Sequence, residues 1–262
     1  MRSVSEIWIY PVKSLGGIRV PSSRVLPKGL EYDRRWMLIG EQGHFMTQRA
    51  SPEMALFKLS YHSTAFSIHY SGESIILPFT SSGASLTAQV WDDKVVVNEV
   101  SRQHSEWFSE RLGIKCKLVS FPESNARPVD MNYAVSNDQV SLADAYPLLI
   151  IGQSSLDDLN QRLRTPLPMN RFRPNIVFTG GEPFEEDGWG HFRIGQNRFA
   201  AVKPCSRCAL TTVDQETGTK GTEPLTTLAT YRKRDNKIFF GQNLIPLNCD
   251  ILREGDEILA GK

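Results

Sequence analysis

The sequence is short of cysteine, of long apolar runs and of net charge, and each shortage excludes a class of protein. Four cysteines in 262 residues are too few for a disulfide-stapled scaffold, so a reducing compartment is expected. No apolar run approaches the roughly 18 to 20 residues of a membrane-spanning helix, and the first strand pattern begins where a secretory signal would lie. A net charge of +1 favours neither nucleic acid nor an anionic membrane as a partner. We therefore expect a soluble, cytoplasmic protein with neither kind of partner.

What the sequence does contain is a long series of short strand patterns. Between residues 55 and 100, alternating segments predict five strands, and Asp92-Asp93 predicts a tight hairpin turn. No regular alternation of strands and helices is visible. The fold class is therefore α+β, mainly β, of the barrel or sandwich type with a few appended helices. Three helices are expected, and their capping residues are Ser101, Ser155 and Thr222.

The polar, turn-rich segment from Phe121 to Asp138 interrupts this pattern. We place a domain boundary near its start, which gives an N-terminal β-rich domain at residues 1–120 and a second domain at 121–262. Arg127 and Pro128 within the segment fit a linker and a basic contact equally well.

Two of the cysteines, Cys205 and Cys208, lie three residues apart between cationic neighbours. Positive charge at Arg207 and Lys203 favours the thiolate form of a nearby cysteine. A thiolate can act as a nucleophile, as a redox partner or as a soft metal ligand, so this segment is the first candidate for chemistry.

Three chemistries remain open for the pair. A structural zinc site normally takes four ligands, and neither Cys116 nor Cys249 has a second ligand at short spacing, so we expect both to be structural or incidental. A thioredoxin-like redox pair opens a helix, whereas the run from Ala209 to Val213 after Cys208 predicts a strand. In the third chemistry, one thiolate ligates a cofactor metal while cationic side chains bind the anionic groups of the cofactor.

One cation for that third chemistry follows the first strand. Lys13 and Ser14 lie on an irregular loop, from which side chains can reach a ligand. Gly16 and Gly17 after them would let the backbone turn sharply. A solvated lysine and a turn serine are the alternative interpretation.

Two arginines supply further positive charge. Arg34 precedes an apolar strand and needs an anion or a carboxylate partner, and Asp33 could pair with it or with Arg35. Arg173 stands before Pro174, so we expect it to project from extended backbone.

These motifs occur in the order expected for a known family. The chain resembles the MOSC superfamily, named for the C-terminal domain of molybdenum cofactor sulfurase. It is most similar to the two-domain form seen in the mitochondrial amidoxime-reducing component and its bacterial relatives. The resemblance implies a β-rich N-terminal domain followed by a MOSC β-barrel. The matching stretches are Ile7 to Ser14, Asp33 to Trp36, Asn170 to Val177, Cys205 to Asp214 and Glu223 to Leu225.

The resemblance also implies a set of site residues for a molybdenum–pterin cofactor. Cys208 would be the molybdenum ligand, and Asp144 falls where the family has an acidic, catalytic residue near the metal. Ala145 and Tyr146 stand where the family has Thr-Ser, so some polar contacts must differ. The residues implied around the pterin and its phosphate are Lys13, Ser14, Arg34, Arg173 and Asn175.

The activity implied is the reduction of N-hydroxylated compounds such as hydroxylamines, N-hydroxylated bases and amidoximes. Because the sequence has no Cys-x4-Cys-x2-Cys run, we expect no iron–sulfur cluster in this chain. Pyridoxal phosphate is not expected either. The electrons would come from a separate donor protein of ferredoxin or flavoprotein type, and the N-terminal anchor of the mitochondrial relatives is not expected here. The alternatives are a molybdenum-cofactor carrier or sulfur-transfer module without turnover and, more weakly, a zinc-stabilised module.

Overall fold

The structure is a computed structural model that describes residues 1–80 and 83–260. Across these residues strands far outnumber helices, which confirms the prediction of a mainly β chain of the α+β class. The strands are β1 Ser3–Ile9, β2 Ile18–Val20, β3 Ser22–Leu26, β4 Gly29–Leu30, β5 Trp36–Gly40, β6 Lys58–Tyr61, β7 Ala65–Tyr70, β8 Glu73–Pro78, β9 Ser85–Val90, β10 Asp93–Glu99, β11 Cys116–Ser120, β12 Leu148–Gly152, β13 Ile176–Thr179, β14 His191–Ile194, β15 Asn197–Ser206, β16 Lys233–Arg234, β17 Lys237–Pro246, β18 Ile251–Arg253 and β19 Ile258–Ala260.

The helices are α1 Arg102–Leu112, α2 Gln153–Arg162 and α3 Leu225–Ala229. The predicted caps of α1 are confirmed: the Ser101 hydroxyl accepts a hydrogen bond from the His104 backbone N–H, and Gly113 ends the helix in left-handed backbone. Within the described residues, no helix is both long and apolar enough to cross a membrane.

The predicted caps of the other two helices are wrong. Ser155 lies inside α2, because its hydroxyl bonds to the buried Glu186 carboxyl group instead of capping the helix. Helix α3 begins after Pro224, and the exposed Thr222 makes no side-chain cap.

The largest sheet contains strands from both ends of the chain. Its order is β19-β14-β15-β17-β12-β13-β1-β2, with β16 paired to β17. Backbone hydrogen bonds from Val4 to Asp256 and from Ile258 to Arg2, both 2.9 Å, join β1 to the segment around β19. The sheet therefore closes on itself, as a barrel does.

Three smaller sheets complete the described part of the chain. Their orders are β5-β11-β10-β9, β6-β7-β8 and β18-β3-β4. Strands β9 and β10 form the predicted hairpin, but Val90 pairs with Asp93, so the two turn residues are Trp91 and Asp92. This register places Trp91 at the tip of the hairpin.

The largest apolar cluster is continuous between the N-terminal and C-terminal strands. It includes Ile7 of β1, Phe66 of β7, Ile150 of β12 and Ile194 of β14, all of them fully buried. This shared core fixes the N-terminal loops against the C-terminal sheet, and the candidate site lies where the two meet.

Candidate functional site

All seven site residues implied by the resemblance line one cavity of about 780 Å³. The chain brings them together from five loops that are distant in sequence. They are Lys13, Ser14, Arg34, Asp144, Arg173, Asn175 and Cys208.

Two of the cationic side chains stack on the ring of Tyr10. The guanidinium groups of Arg34 and Arg173 lie 4.3 and 4.2 Å from the centre of its ring. The hydroxyl donates to the Pro174 carbonyl oxygen at 3.1 Å. Burial raises the pKa of Tyr10 and lowers the pKa of Arg173 to about 10. The ring therefore stays neutral and holds two like charges close together.

Asp33 pairs with Arg34, which decides between the two predicted partners. Arg34 Nη1 lies 2.6 Å from one carboxylate oxygen and 2.7 Å from the other. Arg35 pairs with Glu123 instead. Asp33 also accepts the Tyr10 backbone N–H at 2.8 Å, so its buried carboxylate ties Arg34 to the loop that carries Tyr10.

Several backbone positions around the cavity are strained. Ser14 (φ 67°), Arg34 (φ 49°) and Arg173 (φ 54°) all adopt left-handed backbone without being glycine. The expectation that Arg173 is extended is therefore wrong: its guanidinium stacks on Tyr10 and donates to the Leu15 carbonyl oxygen at 2.7 Å, and these contacts outweigh the preference for extended backbone before a proline. Such strain is maintained only where other contacts fix the loop.

The sharp turn predicted at the glycine pair occurs at Ser14. The two glycines are needed because other groups pack closely against their backbone. A Cβ on Gly17 would lie 2.4 Å from the Tyr10 ring, and a Cβ on Gly16 would lie 2.8 Å from the Phe57 carbonyl oxygen. Gly17 thus leaves the space that Tyr10 occupies.

Lys13 and Asp144 form an ion pair at the cavity wall. Lys13 Nζ lies 2.5 Å from Asp144 Oδ1 and donates to the Leu142 carbonyl oxygen at 2.8 Å. Lys13 is buried, whereas the Asp144 side chain is 53% exposed. Burial lowers the pKa of Lys13, which Asp144 partly restores. Although the partial loss of water at the cavity wall acts to raise the pKa of Asp144, Lys13 holds that pKa well below its usual range, so Asp144 is a carboxylate at neutral pH.

The loop that carries Asp144 is held by Arg127. Its guanidinium donates to the carbonyl oxygens of Ser141, Ala143 and Asp144 at 2.9, 2.6 and 3.1 Å, and Nε donates to Asp93 at 2.8 Å. The open question about Arg127 is thereby answered in favour of a structural contact at the site.

The segment after Cys208 is a 3₁₀ turn from Ala209 to Thr212, so the predicted strand is wrong. The hydroxyl of Thr211 donates to the Cys208 carbonyl oxygen at 3.0 Å, and the hydroxyl of Thr212 donates to the Ala209 carbonyl oxygen at 2.8 Å. These local bonds compete with extended pairing. The buried Arg171 donates to the carbonyl oxygens of Thr211 and Thr212, both at 3.0 Å, and fixes the turn.

The two cysteines of the pair have different surroundings. Cys208 is exposed at the cavity, and Arg49 Nη1 lies 3.4 Å from its sulfur. Cys205 is half-buried, with Arg207 Nη1 2.9 Å from its sulfur. Among the described residues, no three His, Cys, Asp or Glu side chains are grouped as a metal site would need.

Asn175 is buried at the same cavity wall, and its side-chain amide forms hydrogen bonds with backbone groups. Its side-chain oxygen accepts the Leu149 N–H at 3.2 Å, and its nitrogen donates to the Trp8 carbonyl oxygen at 3.2 Å. It joins β12 to β1 beside the cavity.

Comparisons with known proteins identify the family of this chain. Family models described as MOSC N-terminal beta barrel domain and MOSC domain match residues 1–115 and 137–259. Mitochondrial amidoxime-reducing component 1 of Mus musculus is 33% identical, over 98% of this chain and 81% of its own length. Component 2 of Bos taurus is 35% identical, over 89% of this chain and 73% of its own. Molybdenum cofactor sulfurase of Oryza sativa subsp. japonica is 33% identical over 99% of this chain, which spans 34% of that protein.

Together the two family models cover most of the chain, and the relatives match it almost from end to end. The chain belongs to the MOSC family. The resemblance inferred from the sequence motifs is confirmed, and the MOSC protein takes the two-part form of the amidoxime-reducing components.

Sequence reasoning missed two residues at the cavity of this MOSC protein. Arg49 and Trp91 both line it, and the guanidinium of Arg49 lies 4.5 Å from the centre of the Trp91 ring. Nothing in the sequence around Arg49 distinguished it from a surface arginine. The signal for Trp91 was a large aromatic residue at a hairpin turn, where polar residues and glycine are usual.

Proposed function

We propose that this MOSC protein is a molybdenum-cofactor-dependent reductase of N-hydroxylated compounds. One observation carries the proposal: the Cys208 thiol and the Asp144 carboxylate share a cavity with Lys13, Arg34 and Arg173. The amidoxime-reducing relatives support an oxidoreductase, since their name states that activity.

The residues present fit such a cofactor. Lys13 and Arg173 are 5% and 7% exposed, and burial lowers the pKa of each. Buried cations facing a cavity are stabilised by an anionic ligand, which a pterin phosphate would supply. An exposed thiol at the same cavity suits a soft metal. The cavity therefore combines cations for the phosphate with a thiol for the metal, as the cofactor requires.

Lys13, Ser14, Arg34, Arg173 and Asn175 would hold the pterin and its phosphate, and Cys208 would ligate the metal. When bound, the cofactor supplies two-electron redox chemistry at its metal. The reaction takes up two electrons and two protons and converts the N–OH group into N–H and water.

The protein's own contribution is orientation and the supply of protons. Asp144 rests as a carboxylate because Lys13 holds its pKa low, so it accepts a hydrogen bond from the substrate N–H or O–H. Its exposed side chain is open to water, from which the protons come. Arg127 keeps the Asp144 loop in place during turnover.

Two further parts of the proposal concern the cellular setting. The electrons come from a separate donor protein of ferredoxin or flavoprotein type, and the protein acts in the cytoplasm. Purification of the cofactor-loaded protein with its donor from fractionated cells tests both: a donor that is neither a ferredoxin nor a flavoprotein contradicts the first part, and recovery from a membrane fraction contradicts the second.

The activity is tested with cofactor-loaded protein, reduced viologen as the artificial donor and a hydroxylamine as substrate. We expect the wild type to reduce the substrate and Cys208→Ala to lose that activity. Full activity in Cys208→Ala would overturn the assignment of the ligand.

A cofactor carrier or sulfur-transfer module is the second candidate, and the similarity to molybdenum cofactor sulfurase favours it. Such a protein would bind cofactor in the same cavity and stay inactive in the viologen assay. Bound molybdenum without turnover of any N-hydroxylated compound would select this alternative.

A further inference from the structure

We infer that Trp91 and Arg49 form a substrate-recognition wall that selects planar, aromatic N-hydroxylated compounds, an inference that rests on the proposed reductase function. The two side chains line the cavity beside Cys208 and are separate from the cations proposed to hold the pterin. They come from the β9–β10 hairpin tip and from the loop before the Pro52–Leu56 turn.

Trp91 has an unfavourable exposure to solvent and an unfavourable backbone conformation. The residue is 46% exposed, and its backbone is left-handed, with φ 57°. A bulky residue in that region is strained, and an exposed indole gives up burial that would stabilise the fold. The Gln89 side chain donates to the Trp91 carbonyl oxygen at 2.8 Å, and the Phe45 ring centre lies 5.2 Å away. The Phe45 ring packs against the indole, and the Gln89 bond holds the strained backbone that carries it; strain of this kind clusters at ligand sites.

Arg49 connects the indole with the reacting groups. Its guanidinium stacks on Trp91 at 4.5 Å, Nη1 lies 3.4 Å from Cys208 Sγ, and Nη1 lies 3.9 Å from Asp144 Oδ2. The indole N–H of Trp91 is itself 3.4 Å from Asp144 Oδ1. A substrate that reaches Cys208 and Asp144 therefore passes this pair.

The backbone that carries Arg49 is rigidly supported. The buried side chains of Gln48 and Gln215 exchange hydrogen bonds at 3.2 and 2.9 Å, and Gln48 also donates to the Ser14 carbonyl oxygen at 2.8 Å. Lys220 donates to the Arg49 carbonyl oxygen at 3.3 Å. Support of this kind positions a side chain before the ligand arrives.

The chemistry of the pair defines the ligand. A guanidinium plane and an indole both stack on planar π-systems, and such contacts do not need a charged substrate. The wall therefore favours an N-hydroxylated group attached to an aromatic or heteroaromatic ring over the same group on a small alkyl carbon.

Benzamidoxime and acetamidoxime test this selection, since they carry the same reacting group on a phenyl ring and on a methyl group. We expect Trp91→Ala to lower the ratio of kcat/KM for benzamidoxime to that for acetamidoxime about tenfold, the effect of one lost stacking contact. Trp91→Phe keeps a ring and should retain most of the ratio. An unchanged ratio in Trp91→Ala, with the protein folded, would overturn the inference.

Arg49→Met has a matched control in Arg111→Met. Arg111 also stacks on a tryptophan, 4.3 Å from the centre of the Trp107 ring, and it lies outside the cavity. We expect Arg49→Met to lower the substrate ratio and Arg111→Met to leave it unchanged. Equal effects of the two variants on the substrate ratio would show that the decrease comes from general destabilisation, and would contradict a role of Arg49 in substrate recognition.

Calorimetry separates this inference from the proposed activity, because it needs no turnover. The reaction products, benzamidine and acetamidine, are titrated into cofactor-loaded wild type and Trp91→Ala. Weaker binding of benzamidine alone in the variant supports the wall even if no compound is reduced, in which case the reductase function fails. Equal binding of benzamidine to both proteins overturns the wall.

Discussion

At the scale of single residues, the site depends on close contacts that substitution would disturb in defined ways. Tyr10 is held between Arg34 and Arg173, and Gly17 leaves room for its ring. The motif that contains Lys13 and Ser14 pointed to this loop from the sequence alone. The aromatic platform did not follow from it, because stacking across three loops is a property of the folded chain.

Gly17→Ala should destabilise the protein by about 1 to 3 kcal/mol, the usual effect of overpacking. The added Cβ would lie 2.4 Å from the Tyr10 ring and force it away from the two arginines. Urea unfolding measures the change. Gly190→Ala is the control, since it adds a Cβ with no atom within 4 Å; equal stability of the two variants would contradict the packing argument.

At the scale of secondary-structure elements, the sequence predicted strands better than it predicted the segments between them. The alternation of apolar and polar residues was enough to predict the β9–β10 hairpin, although the turn lies one residue earlier than expected. The threonine-rich run after Cys208 has strand propensity, yet its hydroxyls and Arg171 hold it as a 3₁₀ turn. Propensity fails there because the hydroxyls bond to carbonyl oxygens within the turn and Arg171 bonds to it from a distant loop.

Arg171→Lys should loosen the turn beside Cys208. A lysine cannot reproduce the fork that bonds to the carbonyl oxygens of Thr211 and Thr212, and leaving them unpaired costs about 2 kcal/mol. We expect a lower melting temperature and faster exchange of the amide hydrogens in residues 208–213. Unchanged exchange in that segment would show that Arg171 does not hold it.

The buried Glu186 carboxyl should give the fold a pH dependence. Burial raises its pKa from 4.5 to about 7, so the folded state favours the neutral acid. Its contribution to stability is full below pH 4.5 and is lost as the pH rises towards 7. Glu186→Gln should flatten the stability curve in that window. A curve of unchanged slope, measured by urea unfolding at each pH, would exclude Glu186 as the cause.

At the scale of the whole molecule, we propose that residues 1–120 and 121–262 form the two family regions and fold as one unit. Strand β1 lies between β13 and β2 in the large sheet and pairs with both, and β3 pairs with β18. The polar segment after residue 120 indicated a boundary from sequence. Pairing between chain ends has no local signal, so the shared sheet could not be predicted in the same way.

The fragment 121–262 should therefore fail to fold alone. Without β1 and β3, the edges of β13 and β18 lose their partners, and unpaired edges promote aggregation. Co-expression with 1–120 should restore soluble material. A monomeric, cooperatively unfolding 121–262 fragment would contradict this account of the fold.

The most direct measurement of the central claim is the molybdenum content of protein produced with molybdate in a host that makes the cofactor. Cys208 is exposed at the cavity, while Cys205 is half-buried against Arg207, so the two thiols should not be equivalent. The account predicts near-stoichiometric molybdenum in the wild type and in Cys205→Ser, and loss of most of it in Cys208→Ser. Equal retention or equal loss in the two variants would contradict it.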